Sequence, residues 1–175
     1  MKIHAESRVH HPLEDVYRVY RDRLPEIAAY IPDIQEIRVV SRTDGPTGPS
    51  ILNLWIAGRE PPKMIQNIVK KDMLRWDDHA EWNDAAYHVD WRIVIPAFRE
   101  QVRCSGRNAF FAAGPGATRV VLTGDLHIKL ERVPGVPGFM ARRLTPKVEE
   151  FIVRLVTPNL KKVNESLQRY MDDAR

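Results

Sequence analysis

The chain has 175 residues, 43% hydrophobic and 29% charged, the make-up of one globular domain; at this length folding buries roughly two thirds of the unfolded surface, so a core forms without covalent staples. Its single cysteine, Cys104, excludes an intramolecular disulfide, and no His or Cys spacing fits a zinc module. The formal charge of +4 is spread along the chain without the basic stripe and stackable aromatics of a nucleic-acid partner, although it is compatible with weak attraction to an anionic membrane surface.

No apolar leader and no run long enough to cross a membrane is visible, so a reducing, cytoplasmic setting is expected. Residues 2–9 alternate, with Ile3, Ala5, Ser7 and Val9 on one side, and predict a half-buried strand. Pro12 stops it and opens a helix with Val16, Val19 and Tyr20 on its apolar face and Arg18, Arg21 and Arg23 on a solvated one. A second short helix runs from Pro25 to about Tyr30, where the Ile31-Pro32 step ends it.

From Ile34 the period is two again, with Ile37, Val39 and Ser41 facing one way; the Gly- and Pro-rich stretch 44–49 breaks it and Ile51 to Ala57 resumes. Between Pro61 and Lys71 the spacing of Met64, Ile65, Ile68 and Val69 favours a short amphipathic helix, while the β-branched residues also suit a strand. Three strands follow with inner faces that start Leu74-Trp76-Asp78-Ala80-Trp82, Tyr87-Val89-Trp91-Ile93-Ile95 and Val102-Cys104-Gly106-Asn108-Phe110. Gly114-Pro115-Gly116 is a tight turn, after which Val120, Leu122, Gly124, Leu126, Ile128 and Leu130 face inward. A long C-terminal helix starts near residue 146 and bends or breaks at Pro158, which lacks the donor for the preceding turn.

These elements predict an α+β fold: a curved antiparallel sheet of about six or seven strands wrapped on a long C-terminal helix, with two short helices after the first strand. One helix laid across a curling sheet leaves an elongated apolar cavity. The order of elements, with HHPLEDVYRVYRD after the opening strand, the aromatic pair RWDDHAEWND and YHVDWRIVI, and the hairpin GPGATRVVLTGDLHI, resembles the START-related superfamily (SRPBCC), the helix-grip fold of lipid-transfer domains and polyketide cyclases. PPKMIQNIV is similar to the extra short helix of some lipid-transfer and bacterial members. The resemblance implies a single START-like ligand-binding domain over residues 1–175, with an apolar small molecule such as a lipid, sterol or polyketide under the final helix; an enzyme of the cyclase or dehydratase type is the alternative, and a ligand-free interaction module, should the aromatic rings pack the space shut, is the third reading. It also implies an entrance between that helix and the loops at 45–48, 96–99 and 133–138.

The ligand-contacting residues expected on this reading are Trp76, Trp82, Tyr87, Trp91, Asn108 and Phe110 from the aromatic strands. Leu54 and Leu122 join them from the flanking strands, and Leu144, Phe151 and Leu155 from the helix. No catalytic group is assigned; the candidates are Asp78, whose pKa burial would raise, and Asn108, which could bond a ligand oxygen or merely satisfy a neighbouring backbone group. Because isolated buried carboxylates are expensive, the commoner role for Asp78 is outside the core or at a bulge. Cys104 reads as a small buried hydrophobe, Ser7 lacks a partner base, and His4, His79, His88 and His127 fall on polar faces, with His10 and His11 unassigned. No nucleophilic triad, phosphate loop, dinucleotide fingerprint or metal set appears, so neither cofactor nor metal is expected, and the oligomeric state is left open.

Overall fold

The computed structural model describes residues 1–61, 63, 66, 70–128, 139, 146, 147, 150, 153 and 162–174. Among the described residues seven antiparallel strands form one sheet: β1 Lys2–Val9, β2 Ile34–Asp44, β3 Pro49–Ala57, β4 Arg75–Asn83, β5 His88–Val94, β6 Val102–Ala112 and β7 Thr118–Ile128, in the order β1-β7-β6-β5-β4-β3-β2. Between β1 and β2 lie α1 (Leu13–Asp22), α2 (Leu24–Ile27) and a 3-10 turn at Ala28–Tyr30. Residues 162–173 are helical and form the described part of the C-terminal helix.

The alternation in the sequence becomes alternation of burial. In β4 the buried positions include Trp76, Ala80 and Trp82; in β6 they are Val102, Cys104, Asn108 and Phe110; in β7 they include Val120, Leu122 and Leu126. The hairpin turn at 114–116 needs glycine, because Gly114 and Gly116 take φ of 103° and 66°, a region that costs any residue with a Cβ. Pro12 stands just before α1, where its carbonyl accepts from the Val16 amide at 3.0 Å, and α1 buries Val16, Tyr17 and Tyr20.

Three local expectations are corrected. Val39 and Ser41 do not face the core: the register shifts between Val39 and Ser41, so this end of edge strand β2 twists away and Val39 and Val40 are exposed. Tyr87 is not on strand β5 but in the turn before it, with φ 47°. Arg21 is not solvated with Arg18, because its guanidinium is ion-paired to Asp22 and Asp84 and lies 5.8 Å from the Tyr17 ring centroid. The helix-or-strand question at Met64, Ile65, Ile68 and Val69 lies outside the described residues, as does the bend at Pro158; Lys71–Met73 is a 3-10 turn.

The C-terminal helix is tied to the first third of the chain by polar side chains. Lys162 Nζ donates to Asp33 at 2.9 Å, Asn164 donates to Ser7 Oγ at 2.7 Å, and Ser166 donates to the Tyr30 carbonyl at 2.9 Å. His11 Nε2 lies 2.8 Å from Asp172, and Tyr170 donates to Glu26. Burial works against the Asp33 carboxylate, yet Lys162 and Arg59 outweigh it and hold the group below the usual carboxylate range. Val163, Leu167 and Met171 supply the buried apolar stripe between these ties. Among the described residues no helix is long and apolar enough to cross a membrane.

Candidate functional site: a tryptophan-lined cavity

The inner faces of β3, β4 and β5, with α1 and the C-terminal helix above them, enclose a cavity of about 30 Å³. All four tryptophans of the chain, Trp55, Trp76, Trp82 and Trp91, line it. They reach it because each sits on the inward parity of its strand; Trp55 and Trp76 are direct cross-strand partners, stacked with ring centroids 5.7 Å apart and planes 19° from parallel. Tyr20 and Leu24 close the space from the helical side, and Val163 closes it from the C-terminal helix.

The cavity is much smaller than the elongated one expected, with room for a water molecule or two. Aromatic rings fill the adjoining volume: Tyr17 meets Trp82 and Phe110 edge-on at 5.2 and 5.3 Å, and Trp82 stacks on Phe110 at 6.4 Å. A second device shapes the floor. Gly106 and Gly124 are cross-strand partners, and the Trp91 ring occupies the room their missing side chains leave, since a Cβ on Gly106 would lie 2.4 Å from Trp91 Cζ2.

Asp78 projects into this space, contrary to the commoner role for an isolated acid. The residue as a whole is half-buried, while its carboxyl group is surrounded by protein atoms. Burial pushes its pKa up to about 6, against smaller opposing effects of the Asn53 amide and the Trp55 indole. Asn53 Nδ2 donates to Asp78 Oδ2 at a long 3.3 Å. Trp55 Nε1 and Trp82 Nε1 are both buried without a hydrogen-bond partner, Trp55 lying near the carboxyl without meeting bonding geometry. Such orphan donors are rare in folded interiors. A carboxyl near 6 can take up or release a proton close to neutrality.

Asn108 is bonded to two side chains and not to a neighbouring backbone group. Its amide oxygen accepts from Trp91 Nε1 at 3.0 Å and its Nδ2 donates to the Tyr20 hydroxyl at 3.0 Å, so it fastens α1 to the sheet while lining the cavity. Burial, together with the nearby Asp78 charge, pushes the Tyr20 phenol up and keeps it protonated. Cys104 is buried, its thiol pushed up to about 12 first by burial and then by Asp78 and Asp125. Ser7 Oγ is engaged by Asn164.

Of the residues expected to contact a ligand, Trp76, Trp82, Trp91 and Asn108 line the cavity. Leu54 does not: β3 is apolar on both faces, and the parity that points Asn53 and Trp55 inward turns Leu54 to the other side. Tyr87 packs edge-on against Tyr17 at 5.2 Å from its turn, while Phe110 and Leu122 belong to the filled core beside the cavity. Leu144, Phe151 and Leu155 lie outside the described residues. The lining residues outside that expectation include Tyr20, Leu24, Asn53, Trp55 and Val163; the register of Asn53 with Asp78 was the available signal, but it depends on knowing which strands pair.

No protein-family model matches the chain, and no curated protein matches it. Solved structures do. A protein from Thermus thermophilus is 24% identical, with 97% of this chain and 99% of that one covered at a TM-score of 0.65. The Zhui aromatase/cyclase from a Streptomyces species is 17% identical, with 98% and 95% covered at 0.64. A START superfamily protein from Mycobacterium smegmatis is 13% identical, with 93% and 98% covered at 0.52. With its seven-stranded antiparallel sheet and C-terminal helix, the chain has the START-like helix-grip fold.

Proposed function

We propose that this protein binds a hydrophobic small molecule, of lipid, sterol or polyketide type, between its sheet and its C-terminal helix. The observation that carries this reading is the convergence of every tryptophan of the chain on one cavity that Asp78 also lines, two of the indole donors, those of Trp55 and Trp82, being buried without a partner. A core selected only for packing has no use for orphan N–H groups, whereas a ligand site needs a few polar anchors on apolar walls. At about 30 Å³ the space must enlarge to admit a guest. Burying some 200 Å² of apolar ligand surface contributes about 5 kcal/mol at roughly 25 cal/mol per Å², which offsets modest rearrangement.

The test is organic extraction of the purified protein followed by mass spectrometry, with uptake of an apolar dye and its displacement as a second readout. Co-purified lipid or displaceable dye is expected. A protein that yields neither is an interaction module with a filled core, and the reading fails.

A second reading, proton transfer on a polyketide-like substrate in the manner of a cyclase or dehydratase, is favoured by the position and raised pKa of Asp78. The aromatase/cyclase among the structural neighbours supports it at the level of fold. Asp78→Asn separates the two: turnover of candidate substrates lost with binding retained marks an enzyme, and turnover unchanged rejects a catalytic Asp78.

A further inference from the structure

Among the described residues, Asp78 is an acid without a base. On the inner lattice of the sheet its direct neighbours are Asn53 on β3 and Ile93 on β5, with Trp76 and Ala80 two positions away on its own strand. Around the rest of the cavity stand Tyr20, Leu24, Trp55, Trp82, Val89 and Trp91, with Asn108 and Val163, and none of these carries a positive charge. No cation contributes to the carboxyl's behaviour: burial dominates it, opposed only by an amide and an indole. The other titratable groups that feel its charge, Tyr20 and Cys104, are both held protonated.

An ionised carboxylate has about four lone-pair sites, and here one long bond from Asn53 occupies a single one. Enclosing such a group without a counter-charge is costly, and a cation brought in by a guest relieves that cost. The walls suit the same guest, because the negative face of an aromatic ring attracts an ammonium group, most strongly when the ring is an indole. Four indoles lining the same cavity as this carboxyl suit a positive group on an apolar body.

Building on the ligand-binding reading, we infer that the ligand carries a protonated amine that pairs with Asp78 among the tryptophans, and that fatty acids and other apolar anions are excluded. The site therefore takes hydrophobic amines in preference to neutral molecules of the same shape.

Isothermal titration calorimetry at pH 8 on the full chain tests this with three probes of one shape: 2-(1-naphthyl)ethylamine, 2-(1-naphthyl)ethanol and 1-naphthylacetate. The amine is expected to bind at least tenfold more tightly than the alcohol, and the acetate not to bind. In Asp78→Asn the amine and alcohol should become equal within about twofold. Equal binding of amine and alcohol by the unaltered protein overturns the inference and leaves the cavity reading standing. An amine preference that survives in Asp78→Asn also overturns it. If neither the probes nor the dye enter, the ligand-binding reading falls and takes this inference with it. The comparison of amine and alcohol on the unaltered chain holds whether or not the variant folds.

Discussion

The indole N–H of Trp91 donates to the side-chain oxygen of Asn108 at 3.0 Å, across the β5–β6 pairing and inside the cavity wall. The same amide reaches the Tyr20 hydroxyl, so one side chain holds a cavity tryptophan and the first helix in place. Asn108→Ala removes an acceptor from a buried donor that has no substitute. It should lower unfolding free energy by about 1–3 kcal/mol in urea titrations and change tryptophan emission. A loss under about 0.5 kcal/mol would show that the bridge is dispensable.

Asp78 gives the protein a pH-dependent weakness. Its folded pKa of about 6 lies above the ordinary 3.8, so between those values the folded chain binds more protons than the unfolded one, and this group's contribution to stability falls as pH rises. The full difference corresponds to about 3 kcal/mol. Relative to the unaltered protein, Asp78→Asn should therefore gain up to about 3 kcal/mol on going from pH 4 to pH 7.5, read from denaturant midpoints at each pH. A constant difference across that range would mean that the carboxyl is solvated.

The seat of Trp91 depends on the absence of two side chains. A Cβ at Gly106 would lie 2.1 Å from the Thr123 carbonyl oxygen and 2.4 Å from Trp91 Cζ2, whereas at Gly124 the nearest approach is 2.8 Å. Gly106→Ala should cost about 3 kcal/mol and Gly124→Ala less, with both altering the tryptophan spectrum. Thermal unfolding in the opposite order would contradict this packing.

Cys104 should behave as an inert thiol. Burial, with Asp78 and Asp125 nearby, raises it to about 12, so the reactive thiolate is scarce at neutral pH. A thiol-reactive disulfide reagent should label the native protein at least a hundredfold more slowly than the urea-unfolded chain. Comparable rates would place the thiol in solvent.

Much of the fold is legible because it rests on local periodicity. Alternation along β1, β4, β6 and β7 follows from burial on one face, and glycine at 114 and 116 follows from a turn that only glycine enters freely. Legibility stops where both faces of a segment are apolar or where the register slips. β3 reads Ile51-Leu52-Asn53-Leu54-Trp55-Ile56, so hydrophobicity does not say which parity points in; the structure turns the polar Asn53 inward with Trp55 and sets Leu54 outside. The bulge in β2 moves Val39 outward without a mark in composition.

The cavity shows the same division. That Trp76, Asp78 and Trp82 share a face is a property of their spacing on one strand, readable from residue numbers alone. That Asp78 meets Asn53 and, among the described residues, no base, that Asn108 joins Trp91 to Tyr20, and that His11 meets Asp172 was decided by tertiary structure. Those partners lie between 17 and 161 residues apart in the chain. A strand's periodicity specifies which way a side chain points, but strand pairing and helix docking specify what it faces. How far the aromatic side chains fill the space beneath the helix was likewise decided only by packing in three dimensions.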